Sequence, residues 1–378
     1  MNFTRKIKIG LVHDDFIQFG GAEKLFFDLI LEFSKDKNYE TYVFSSLISE
    51  EWKKIFDENK IIYKESFLKK IPFCYKFSKI FFLFELYYLA FQNFDFEGFD
   101  FVISSSTRYA HSIVTKPSTY HISYVNSLPK MFWEPEKYFA GKKFEYKILS
   151  NFFPYFQRLD YITQHSADIV ITNSKNIRNK YKKNTLRKSL VLYPYTNVIT
   201  NTSNDKSDFY LLISRLVSWK RIDYVLEAFS ELPEKKLKII GTGNMLKKYQ
   251  RNSPPNVEFL GFVSEAEKIK LLSTAKGLII PQDEDFGLVI LESLMCRTSL
   301  IYFNKGGAGE VLNSKVGESF DFQSKDFLKE AIDKNSENLY KIEDFEEVIG
   351  PYSKDNFLRF LRSLITKKFS KLSSNGKI

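Results

Sequence analysis

"GLIIPQDEDFGLVILESL", Gly277 to Leu294, runs through three kinds of sequence in succession. The apolar run Gly277–Ile280, stopped by Pro281, has the length and content of a strand buried on both faces. A polar, acidic stretch follows, and from Leu288 the apolar residues take helical spacing, with Glu292 in the second turn. Strand, polar loop and helix make one unit of a parallel sheet. Glu284 and Glu292 stand eight residues apart, one ahead of the helix and one inside it.

The same unit recurs in both directions. Upstream, "IKIGLVH" precedes "GGAEKLFFDLILEFSK", whose Leu25, Leu29 and Phe33 lie on one helical face. Further strands are expected at "TYVFSS", "FDFVISS", "YHISYVN", "ADIVITNS" and "SLVLYPY". The polar, turn-rich stretch Thr196–Asp208 breaks the pattern as a linker does. A second series begins after it, at "FYLLISRL", "KLKIIGTG", "VEFLGFV", "GLIIPQ" and "SLIYFN". The expected fold is therefore α/β, with two Rossmann-like, doubly wound parallel-sheet domains facing a central cleft. The expected boundaries are 1–195, a linker at 196–208, and 209–350. Residues 351–378 should form a closing helix and tail that packs back on the first domain. Ligands of such sheets sit at the carboxyl ends of the strands.

Composition narrows the function. With 44% hydrophobic and 27% charged residues, 378 residues suit two globular domains. Two cysteines without metal-like spacing suit a reducing cytoplasm. The first residues run straight into a strand, so no signal peptide is expected. The apolar run Ile80–Phe94 is interrupted by Glu85 and is shorter than the ~20 residues of a membrane span. The net charge is +10, and residues 1–200 carry +8 of it (29 Lys/Arg against 21 Asp/Glu). Its basic residues are scattered, with no nucleic-acid-binding motif, so nucleic acid is not an expected partner.

The residues suited to chemistry in the second half all lie just past strand ends. They are Arg215 and Lys220 in "SRLVSWKR", Gly241 and Gly243 in "GTGN", and Gly287 at a helix start behind the acidic loop. A helix N-terminus attracts phosphate, two nearby cations neutralise a diphosphate, and carboxylates accept hydrogen bonds from sugar hydroxyls. Each element alone is commonplace: "GTG" is most often a turn, an Arg near a Lys is most often solvated surface, and "DED" is most often a wet loop. Their convergence at several strand ends is what points to one sugar-diphosphate. A dinucleotide site fits poorly, since "GTGNML" lacks the third glycine and the ribose acid. No metal or other cofactor is expected.

The second half resembles the retaining, nucleotide-sugar-dependent glycosyltransferases of family 4, which have the GT-B fold. The shared pattern is Glu-x-Phe-Gly-x-x-x-x-Glu, here Glu284, Phe286, Gly287 and Glu292, followed by Leu288 inside the helix. The resemblance implies that Glu284 holds donor-sugar hydroxyls, Glu292 the nucleotide ribose, and Arg215 with Lys220 the diphosphate. "VEFLGFVSEAE", with Phe262 and Val263, is similar to the segment beside the base, and "NKGGAGEVL" to the loop after the next strand. In the first half, Gly20 and Gly21 of "FGGAEKLFFDLI" look like the family's glycine-rich loop. Asn126, in "VNSLPKMFWE", stands where the related bacterial mannosyltransferase-like, surface-polysaccharide branch carries a histidine. An asparagine can hydrogen-bond a sugar hydroxyl but is no general base near neutral pH. His13, His111 and His121 are nearby in order and read as structural.

Lys64, Lys69, Lys70, Lys76 and Lys79 precede an aromatic run ending at Phe94, a composition suited to an anionic lipid surface or to ordinary core. Lipid-linked acceptors, common in the family, tip this toward lipid. The implied protein is a cytoplasmic hexosyltransferase, peripheral at the inner face of the cell membrane. Its partners would be a nucleotide sugar and a lipid-linked or growing surface glycan. The alternatives are a GT-B nucleotide-sugar epimerase and a non-catalytic partner in polysaccharide assembly.

Overall fold

A computed structural model describes residues 5–77, 85–198 and 206–374, with residues 76, 77 and 371–374 described by backbone alone. Two compact units are present. The first comprises 1–135, 147–193 and 358–378, and the second 136–146 and 194–357. Most of the linker stretch and Lys79 lie outside the described residues.

The first unit holds a seven-stranded parallel sheet. Its strands are β1 (Ile7–His13), β2 (Tyr39–Ser45), β3 (Tyr63–Glu65), β4 (Phe101–Ser106), β5 (Tyr120–Val125), β6 (Ile169–Thr172) and β7 (Leu190–Val191), in the order β3-β2-β1-β4-β5-β6-β7. Ile7, Ile9, Leu11 and Val12 are fully buried, because helices cover both faces and each side chain of β1 meets apolar partners. Helix Gly21–Lys35 buries Leu25, Phe26, Leu29, Ile30 and Phe33, the face its spacing requires. The closing helix, Lys354–Ser374, ties to this unit through Arg362–Asp36 at 3.4 Å and through Lys368 over the Tyr120 ring.

The second unit repeats the scheme with six strands: β8 (Tyr210–Ile213), β9 (Leu237–Ile240), β10 (Val257–Gly261), β11 (Gly277–Ile280), β12 (Leu300–Phe303) and β13 (Gly317–Phe320). Their order is β10-β9-β8-β11-β12-β13, all parallel. Tyr210, Leu212, Ile239, Ile279, Ile301 and Phe229 centre its core. The two doubly wound parallel sheets are the fold expected from the sequence. The sequence reading missed β3 and β13. Both are edge strands of three or four residues, "YKE" and "GESF", whose apolar content is too low to signal a buried strand. The segment 136–146 joins the second unit although the chain around it belongs to the first.

Topology fixes where the sites lie. In each sheet the order reverses once, between β1 and β4 and between β8 and β11. Connections leave in opposite directions there, which opens a crevice at the strands' carboxyl ends.

Candidate functional site

At the second reversal point the loop after β8 carries Arg215 and Lys220, and the loop after β11 carries Gln282 to Gly287. Lys220 is buried, and its Nζ lies 2.5 Å from Glu284 Oε1. Gln282 Nε2 donates to the same oxygen. Trp219 sits beside both cations, its ring centroid 4.6 Å from Lys220 Nζ and 5.7 Å from Arg215 Cζ. An indole face attracts a cation through its quadrupole, so Trp219 helps hold the two positive charges together. Arg215 itself is exposed. The acid and base foreseen as separate ligands are thus partners in this structure, 64 residues apart in sequence.

Glu292 lies one helical turn into Leu288–Met295 and accepts from Lys268 Nζ at 2.7 Å, a lysine also bonded to Glu265. Although burial opposes the charge, Glu292 and Glu265 together raise the Lys268 pKa, so this lysine stays charged. Gly287, in the left-handed region at φ 84°, caps the helix without a side-chain bond. The helix thus starts without the serine cap seen at Ser174 or Ser264, while Ile290 N–H already donates to Gly287 O at 2.9 Å. Phe286 is buried, with its ring 6.1 Å from Tyr352, and Leu288 is half-buried.

The loop after β12 packs directly on this segment. Gly307 N–H donates to Glu284 O at 2.7 Å. A Cβ on Gly307 would come within 2.4 Å of Phe286 Cα, so only glycine permits the approach. The "GTG" glycines act in the same way. A Cβ on Gly241 would meet Ser214 O at 1.9 Å, and one on Gly243 would meet Leu216 O at 2.2 Å. Their visible function is to let the β9 loop lie on the backbone that carries Arg215. Gly261 Cα ends β10 at φ 69°, and Phe262 beyond it is 81% exposed, with Val263 half-buried. Lys137, in the segment 136–146, reaches Asp283 at 3.3 Å. Among the described residues no group of three or more His, Cys, Asp or Glu is placed to hold a metal ion.

In the first unit, Gly20 is the N-cap of helix Gly21–Lys35, Gly21 is exposed, and Phe19 beside them stacks on Trp52 at 4.6 Å. Glu23 in the first turn is buried, and desolvation raises its pKa while the charge of nearby His13 opposes the rise. A carboxyl with a folded pKa above its unfolded value binds its proton more tightly when folded. It adds stability below the unfolded pKa that is lost as pH rises through the folded one. Glu23→Gln is expected to flatten that part of a pH–stability curve above pH 4.5 while wild type declines. Parallel curves for the two proteins would refute this reading.

Asn126 follows β5 and is only 9% exposed. Its Nδ2 donates to Ser105 Oγ at 2.9 Å and its carbonyl accepts from Asn173. The side-chain amide nitrogen expected to face a sugar is thus engaged at the end of the neighbouring strand. His111 and His121 are buried within bonds to Ser106 and Ser104. His13 is buried against Phe16 and Phe26.

Sequence reasoning passed over Trp219, Gln282 and Lys268. The first stood in plain view between Arg215 and Lys220. Gln282 bonds within its own loop, to Glu284 two residues on, but nothing in a lone glutamine marks it; Lys268 gains its tie to Glu292 only from the packing of another helix.

Residues 197–354 match the family described as Glycosyl transferases group 1. An uncharacterized glycosyltransferase of Methanocaldococcus jannaschii is 26% identical over 52% of this chain and 56% of its own. An α-1,3/1,6-mannosyltransferase of Yarrowia lipolytica is 24% identical over 45% of this chain and 50% of its own. The chain spans about half the length of these curated relatives. Among solved structures, Anabaena HepE in complex with UDP and glucose superposes with a TM-score of 0.64 at 16% identity, covering 98% of this chain and 100% of that one. At that identity the likeness shows the fold, two Rossmann-like domains of GT-B type.

Proposed function

We propose that this chain, whose residues 197–354 carry the group 1 glycosyltransferase match, is a retaining hexosyltransferase that uses a nucleotide-diphosphate sugar. The observation that carries the proposal is the Lys220–Glu284 pair with Arg215 at the β8/β11 reversal point. Arg215 and Lys220 bear on the diphosphate, where charge grows as its oxygen leaves the anomeric carbon. Glu284, released from part of its bond to Lys220, orients the sugar. Glu292 takes the ribose, the uncapped helix start after Gly287 faces phosphate, and Phe262 with Val263 lies beside the base. The acceptor hydroxyl bonds to the same face of the sugar and its proton passes to the leaving diphosphate.

UDP and glucose in the Anabaena protein support a nucleotide-sugar donor, and the Yarrowia relative supports a mannose-like sugar. The proposed acceptor is a lipid-linked or growing surface glycan, with the protein peripheral on the cytoplasmic face of the membrane. Gly20, Gly21 and Asn126 of the first unit are assigned to the acceptor side, with Asn126 as a positioning residue. No metal or cofactor is assigned. The engaged Asn126 amide favours one rival, a partner protein without turnover.

The test is a thermal-shift screen of common nucleotide sugars, followed by donor hydrolysis. A ligand at 100 times Kd adds about 2.7 kcal/mol of stability. Glu292→Ala is expected to weaken nucleotide binding and Glu284→Ala chiefly to lower turnover, each by about 1.5–3 kcal/mol. Wild-type affinity and rate in both variants would sink the assignment. A chain that neither binds nor hydrolyses any nucleotide sugar is the partner protein.

A further inference from the structure

Glu292 sits in the second turn of helix Leu288–Met295, with a side chain only 12% exposed. Its Oε2 accepts from Lys268 Nζ at 2.7 Å. Its Oε1 takes part in no hydrogen bond or ion pair among the described residues, yet it is not shut away from solvent. One carboxylate oxygen is therefore fixed by the protein and the other is presented.

The lysine that fixes it comes from another crossover. Lys268 stands in helix Glu265–Thr274, which follows β10 and starts at the Ser264 cap. Its side chain is largely buried, and its Nζ also pairs with Glu265 Oε1, one turn back, at 2.7 Å. The ammonium is thus held from two sides, by an acid of its own helix and by one of the neighbouring helix. Two carboxylates and one ammonium leave this trio a net charge of −1, which suits hydroxyl donors and disfavours phosphate. The cations Arg215 and Lys220 lie on a different loop, after β8. A glutamate side chain loses rotamer freedom when it is fixed. Here the lysine has already fixed it, so an incoming hydroxyl meets an acceptor that is in place.

We propose that Lys268, anchored by Glu265, is the positioning residue for ribose recognition, setting Glu292 so that its Oε1 accepts a ribose hydroxyl of the bound nucleotide. The inference deepens the nucleotide-diphosphate reading of this site and rests on it. It adds the residue that makes the site select ribose over deoxyribose. A nucleotide lacking that hydroxyl leaves Oε1 without a donor in a largely buried place, and a site built to hydrogen-bond a group rejects the analogue without it. Lys268 acts through Glu292 and touches no reacting atom, so its effect falls on affinity and sugar selectivity.

The experiment is isothermal titration calorimetry of the full chain with ADP, GDP and UDP, and with the 2′-deoxy and 3′-deoxy form of each. Wild type is expected to bind one of the three about tenfold or more tightly than one of its deoxy forms. Lys268→Met should bring that ratio to within about threefold of unity, weakening the ribonucleotide and leaving the deoxynucleotide nearly unchanged. Glu265→Gln, at an exposed position, keeps the pair with Glu292 and removes the lysine's second anchor, so the ratio should fall by about threefold. Because Lys268→Met leaves a largely buried carboxylate unpaired, the thermal midpoint of each variant is the folding control. A ratio equal to wild type in Lys268→Met, or in Glu265→Gln if the methionine variant does not fold, overturns the proposal. An equal loss of ribonucleotide and deoxynucleotide binding also overturns it, since a merely structural lysine affects both alike. So does a wild type that binds both forms equally. Those three failures leave the donor reading standing, whereas a wild type that binds none of the nucleotides and no nucleotide sugar removes that reading and this inference with it.

Discussion

Lys220→Ala and Arg215→Ala are each expected to lower turnover by roughly 10²-fold or more, with smaller effects on nucleotide affinity. Charge on the leaving diphosphate peaks in the transition state, so a fixed cation stabilises that state more than the bound donor. Lys220 is the better placed of the two in this structure: buried, 2.5 Å from Glu284 and 4.6 Å from the centre of the Trp219 ring. Its removal also leaves a half-buried Glu284 with Gln282 as the remaining partner among these bonds. A double-mutant cycle of Lys220 and Glu284 should therefore be strongly non-additive, since each single change already breaks the pair. Steady-state rates for the four proteins decide it. Turnover within a few-fold of wild type in Lys220→Ala would remove the lysine from the mechanism. A strict requirement for added divalent metal would instead turn attention to Asp283, Glu284 and Asp285.

Asp14→Ala should produce the largest loss of stability of any single change proposed, on the order of 3 kcal/mol or more. The carboxylate accepts four backbone N–H groups, from Thr107, Arg108, Tyr109 and Ala110, at 2.6 to 2.8 Å. Asp14 is buried, so the substitution leaves those donors without their acceptor in a region poor in water. Asp15 beside it pairs with Arg108 and cannot replace it, because its own carboxylate is already bound. The loop after β4 would then lose its tie to the end of β1, at the first unit's reversal point. Chemical denaturation measures this directly, and a midpoint shift too small to resolve would show that other contacts hold the loop.

The repeated strand–loop–helix order was legible because each buried parallel strand needs a near-continuous apolar run and each crossover needs a helix-length segment. "IKIGLVH", "FYLLIS" and "GLII" could satisfy little else. Edge strands escape this logic: β3 and β13 pair on one side only, and "YKE" and "GESF" meet that demand without an apolar run. The acids and cations of the second unit were legible as a set for a related reason. Strand-end loops are where parallel sheets present ligand groups, so Arg215, Lys220 and Glu284 stood out by position, whereas Glu292, inside the following helix, was singled out by the resemblance to the family pattern.

Their pairing was not legible. Glu284 bonds to Lys220 across 64 positions and Glu292 to Lys268 across 24, distances that spacing cannot encode. Nor could the roles of Gly241 and Gly243 be read from "GTG", since the backbone they admit belongs to Ser214 and Leu216 on the adjacent strand's loop. Asn126 shows the same division. Its place after β5 follows from local pattern, while the engagement of its amide by Ser105 depends on β4 lying alongside. Local sequence thus determined which segments become strands and helices and which residues reach the strand ends, because periodicity and turn chemistry act within a few residues. Strand order alone decided which of those residues meet, because contacts between distant loops arise only when the sheet brings their ends side by side.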